Sequence, residues 1–129
     1  MSFRSFALFA SLSMLLARPS WAEGAMTASE FLGRAGPLMN RSPAQLMFSS
    51  EARLLTQVAG VAAQDARRRL NADHEAGRKS FACPPEGAKI MINIKELLAY
   101  LRALPPAKAR EPMTEAIAGL IGSKYPCRN

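Results

Sequence analysis

The sequence predicts an all-α protein: a small bundle of about five helices, two of them short, with one disulfide clamping a C-terminal helical hairpin. Three observations predict it. Apolar residues recur at three- and four-residue steps along several stretches, the repeat of a helix face. Capping residues stand just ahead of those stretches. Two cysteines, Cys83 and Cys127, bracket the last two of them.

A chain of 129 residues allows one domain. Its first 22 residues read as a signal peptide and residues 23–129 as a single helical domain. Arg4 supplies a basic start, and Phe6 to Ala17 is apolar except for Ser11 and Ser13. Arg18-Pro19 breaks the run, and Ser20-Trp21-Ala22 offers small residues to a peptidase, which places the cut after Ala22. A run of about a dozen residues is far short of the roughly 20 that cross a bilayer, so no membrane span is expected after cleavage. No cysteine directly follows the run, which argues against a lipid anchor. The expected location is the periplasm or the exterior. Cleavage removes Arg4 and Arg18 and lowers the net charge from +7 to +5.

Each helix has its own signals. Thr27 with Glu30 forms a capping box, with Met26 and Phe31 as its hydrophobic staple, and Gly36-Pro37 ends that helix after about two turns. Ser42-Pro43 starts a second, short helix through Leu46-Met47-Phe48, with proline at the first position. Ser49 or Ser50 caps the longest helix, which runs to about Ala76 before Gly77. Its apolar face is Leu54, Leu55, Val58, Val61, Ala62, Ala66 and Leu70. Residues 77 to 88 form a glycine- and proline-rich loop holding Cys83, and Lys89 to Ile92 reads as a short extended piece. Asn93 with Glu96 is another capping box, with Ile92 and Leu97 as staple; the helix continues through Leu98, Leu101 and Leu104 to Pro105-Pro106. The last helix starts near Pro112, turns Met113, Ala116, Ile117, Leu120 and Ile121 inward, and stops at Tyr125-Pro126.

In an exported chain, an even pair of cysteines reads as a disulfide. Cys83 and Cys127 stand 44 positions apart, and the loop-entropy model assigns about 4 kcal/mol to closing a loop of that size. Two free thiols or a metal site is the alternative. Structural zinc needs four ligands, and His74 is the single histidine available. A redox pair would want two cysteines separated by two residues.

No catalytic constellation stands out, so the chain is not expected to be an enzyme or to hold a cofactor. His74 lies between Asp73 and Glu75, but neighbours one position away point to other faces of a helix and orient the ring poorly. Arg67, Arg68 and Arg69, followed by Arg78 and Lys79, form the strongest charge cluster. It reads either as a solvated helix end whose cations suit the helix dipole or as a patch for an acidic partner. Export and the lack of nearby aromatic stacking groups argue against nucleic acid. Gly119 and Gly122, in or at the end of the last helix, read as close-packing positions.

From Cys83 onward the chain resembles a known family. The residues are Cys83-Pro84-Pro85-Glu86-Gly87, the run Glu96-Leu97-Leu98-Ala99-Tyr100-Leu101-Arg102-Ala103-Leu104-Pro105, then Glu115-Ala116-Ile117-Ala118-Gly119-Leu120, and Tyr125-Pro126-Cys127. They look like the C-terminal half of the Rap/Tai-type immunity proteins. Those are small exported helical proteins that block peptidoglycan-cleaving amidase effectors of type VI secretion. The resemblance implies that Cys83 and Cys127 form the family's C-terminal disulfide and that Leu97, Leu98 and Leu101 are core. The stretch from Met26 to Ala76 has no match, and it lacks the further cysteines that family members typically carry there.

Two expectations follow from the sequence. In the first, the protein is an immunity protein whose partner is a secreted amidase effector. In the second, it is an envelope structural or adaptor protein on the same scaffold, binding an anionic polymer or a resident protein through Arg67, Arg68, Arg78 and Lys79. Amphipathic helices of this length also allow a homodimer.

Overall fold

The computed structural model describes residues Met26 to Arg128. The signal-peptide expectation falls on residues outside that range. The described residues are all-α, with six α-helices and no strand among them: α1 (Ala28–Ala35), α2 (Pro43–Met47), α3 (Ser50–Glu75), α4 (Ile94–Arg102), α5 (Pro106–Ala109) and α6 (Met113–Lys124). A 3-10 turn, Gly36–Asn40, continues directly from α1. The five helices read from the sequence are all present, and α5 is an additional single turn.

Local signals account for most boundaries. Thr27 accepts from the Glu30 amide while the Glu30 carboxylate accepts from the Thr27 amide, and Ser42 with Gln45 repeats the arrangement at α2. The Ser49 hydroxyl accepts from the Ala52 amide at 3.2 Å and caps α3. At the far end of α3, Gly77 adopts φ +67°. The Arg78 amide donates to the Asp73 carbonyl and the Gly77 amide to that of His74. This left-handed cap satisfies the last carbonyls of the helix, and glycine reaches it without a side-chain clash.

Three expectations are adjusted. Gly36 ends α1 where expected, but it stays right-handed (φ −50°, ψ −55°) and passes the chain into the 3-10 turn instead of forming a left-handed cap. Pro37 suits the first turn of that element, where no amide donor is required. Asn93 caps α4 through the Lys95 amide at 2.8 Å, without a reciprocal bond from Glu96. The Glu96 carboxylate instead meets Lys124 at 3.1 Å, a charge-assisted bond that outcompetes a neutral amide. Lys89 to Ile92 takes no regular structure.

The core lies between α3 and α6. Leu55, Val58, Ala62, Ala66 and Leu70 form the buried stripe of α3, with Leu54 and Val61 half-buried at its margins. Ala62 and Ala66 are completely enclosed, and small side chains there let α6 approach closely. Helix α6 buries Met113, Ala116, Ile117, Ala118, Leu120 and Ile121, more than one face. It is the central element, and that explains its high apolar content. Leu97, Leu98 and Leu101 of α4 and Phe31 of α1 complete the cluster. Residues flanking α1 and α6 are also tied by main chain: Ala28 donates to Glu111 at 3.0 Å and Met113 to Met26 at 2.9 Å.

Cys83 and Cys127 are disulfide-bonded, with Cα atoms 4.8 Å apart. The Cys83 amide also donates to the Tyr125 carbonyl at 2.8 Å. Bond and disulfide together lay the loop after α3 across the end of α6. Gly122 belongs to this junction: a Cβ there would stand 2.7 Å from the Phe81 carbonyl oxygen. Gly119 leaves room for the Tyr100 hydroxyl of α4. Both glycines are close-packing positions.

Candidate functional site

Arg67, Arg68 and Arg69 are exposed on α3, where Ala66 and Leu70 take the core side of the same turns, and Arg78 and Lys79 follow the Gly77 cap. The members of this cluster make separate intramolecular contacts. Arg67 donates from Nη2 to the Ile90 carbonyl at 2.7 Å. Arg68 pairs with Asp65, one turn earlier. Arg69 pairs with Glu115 of α6 at 2.6 Å, and its guanidinium lies 5.9 Å from the centre of the Phe81 ring. Arg78 pairs with Asp73 at 3.0 Å, across the helix cap. Lys79 is exposed, with no ion pair among the described residues. The cluster therefore fastens α3 to the 81–90 loop and to α6, as well as bearing charge. His74 is exposed near the end of α3, and neighbouring Asp73 turns to Arg78.

Among the described residues, no group of three or more histidine, cysteine or acidic side chains could hold a metal, and no helix is long and apolar enough to cross a membrane. Every buried side-chain polar atom among them has a hydrogen-bond partner.

Two surface features differ from an ordinary solvated face. The first is at the end of α2. Leu46 packs half-buried against the core, while Met47 is 76% exposed and Phe48 83% exposed. The helix is five residues long and buries none of them fully. Ser42 and Gln45 fix its start, and the buried Ser49 starts α3 immediately after Phe48. The aromatic ring is thus presented to solvent between the capped starts of α2 and α3. The sequence showed the apolar triplet 46–48 without showing that two of its members face outward. A signal was present: a helix of one turn has one inner face and cannot bury three consecutive apolar residues.

The second is an open groove of about 590 Å³ between α3 and the segment before α4. Arg67, Leu70 and Asn71 form one wall, and Ala88 to Ile92 the other. Met91 is 69% exposed at its edge. The two walls are separated by the long 77–88 loop, so no local spacing in the sequence revealed them as neighbours.

The two features are far apart. Phe48 precedes the first residue of α3, and Arg67 lies about 25 Å along the helix axis at 1.5 Å per residue. They can serve different partners.

No protein-family model matches this chain, and neither a curated protein nor a solved structure matches it.

Proposed function

We propose that this protein is an exported immunity-type protein that binds and inhibits a peptidoglycan-cleaving amidase effector in the periplasm, with no catalysis of its own. The observation that carries the reading is the Met47–Phe48 corner. Two large apolar side chains in water are unfavourable by roughly 1.5 to 3 kcal/mol each relative to burial, and a partner surface recovers that energy. An exposed aromatic anchor fits a concave enzyme cleft, and such anchors dominate the energetics of inhibitor interfaces. A disulfide-linked helical scaffold suits an oxidising compartment. The resemblance of residues 83–127 to Rap/Tai-type immunity proteins points to the same partner class.

The test is a rescue of growth. Each secreted hydrolase encoded near this gene is directed to the periplasm of a test bacterium, with and without this protein. The expected result is one toxic amidase, neutralised by the wild type with affinity on the order of nanomolar. Phe48→Asp, with unchanged thermal stability, should lose protection and weaken binding at least tenfold. If no toxic hydrolase is neutralised, the reading is overturned. Envelope adaptor function, through Arg67, Arg68, Arg78 and Lys79, then replaces it.

A further inference from the structure

The groove beside α3 has a chemical character of its own, independent of the inhibitor reading. Its polar lining is Arg67, Asn71 and Lys89, with no carboxylate among the lining residues. Leu70, Ile90, Met91 and Ile92 supply apolar surface in the same space. The backbone of the second wall is pinned from two sides. Arg67 holds the Ile90 carbonyl, and Lys124 holds the Met91 carbonyl at 2.8 Å while also bound to Glu96. The amides of Lys89, Ile90, Met91 and Ile92 have no hydrogen-bond acceptor among the described residues. The segment is therefore fixed in place with its donors unspent.

We propose that this groove binds an extended acidic peptide segment of a partner protein. The peptide main chain accepts hydrogen bonds from those free amides of residues 89–92 that face the groove. A carboxylate of the peptide meets Lys89 and the remaining guanidinium donors of Arg67, which has five N–H groups and spends one on Ile90. A neighbouring apolar side chain covers the exposed Met91 and the half-buried Ile90. Charge complementarity and the apolar lining together select this occupant. A small anion or a sulfated polymer would use the cations and leave the apolar wall in water.

The experiment uses the full mature chain with its disulfide intact. The probe is a fluorescein-labelled peptide of alternating Asp and Val residues, read by anisotropy and by amide shifts in the ¹H–¹⁵N spectrum. Saturable binding is expected, with the amide signals of Lys89 to Ile92 moving. Lys89→Glu should weaken binding at least tenfold, as should Met91→Asp, both at exposed positions that leave the fold intact. A matched peptide of alternating Lys and Val should not bind. Phe48→Asp should leave peptide binding unchanged, which separates this site from the inhibitory corner. No binding, binding without shifts at residues 89–92, or equal displacement by inorganic phosphate or heparin would each overturn the proposal.

Discussion

At the residue scale, the molecule depends on a few positions where one atom decides the fit. Gly122 is the sharpest. A methyl group there meets the Phe81 carbonyl oxygen, a main-chain atom in a loop held by the disulfide and by the Cys83–Tyr125 hydrogen bond. Gly122→Ala should therefore destabilise by about 1 to 3 kcal/mol, read as a lower urea midpoint at unchanged slope. Gly119→Ala meets a Tyr100 hydroxyl instead, the mobile end of a side chain, and should cost distinctly less. The order of the two is the test; a larger loss at Gly119 would contradict the packing described. The Arg69–Glu115 pair spans two helices, yet each side chain is nearly half exposed. Solvent screening limits it, and a double-mutant cycle should return no more than about 1 kcal/mol. The sequence placed both glycines in the last helix as packing positions. It gave no means of knowing that one faces a rigid carbonyl and the other a yielding ring.

At the scale of the element, side-chain capping differs from helix to helix, and α5 and α6 start from prolines with no side-chain cap. Helices α1 and α2 have complete capping boxes, both visible as spaced residue pairs. Helix α3 is 26 residues long and starts from a single serine. Ser49→Ala removes the acceptor for the Ala52 amide at a site that is itself buried, and should cost about 1 kcal/mol, within the usual range for such caps. Chemical denaturation checks it, and an unchanged midpoint would mean that the hydroxyl adds nothing as a cap. Asn93 shows the limit of such pattern reading. The Asn93–Glu96 spacing matches a capping box, but a lysine 28 residues away claims the glutamate. Local pattern states what a side chain can reach, and tertiary structure decides which partner it takes. The same competition bears on Arg67, Arg68 and Arg78, a charge run along the chain whose members find separate partners in space.

At the scale of the whole molecule, the disulfide closes the loop after α3 onto the end of α6 and so encloses α4, α5 and α6 in a covalent ring. Helix α6 is the hub of the core, and its C-terminal end would otherwise be free to fray. Reduction should lower stability by about 2 to 4 kcal/mol, seen as a fall in Tm with reductant that a Cys83→Ser, Cys127→Ser double variant reproduces. An unchanged Tm would mean that packing of α6 against α3 suffices without the covalent link. The α2 corner lies outside this ring, so reduction should affect the Phe48 surface less than the groove, one wall of which is residues 88–92. Comparing hydrogen exchange in oxidised and reduced protein would show protection lost first around residues 81–92.

The sequence by itself determined the helical class, the main helix starts, the inner faces of α3, α4 and α6, and the one pair of cysteines available to each other. These follow from short-range rules: a 3.6-residue repeat, a cap three residues from its partner, a glycine at a helix end. Tertiary structure alone decided the rest. It turned Phe48 outward, because α2 is too short to bury its whole apolar triplet. It gave Arg67, Arg69 and Lys124 partners more than twenty residues away. It also formed the groove by folding an irregular segment back along α3. Each of these depends on which distant surfaces meet, and chain spacing carries no record of that.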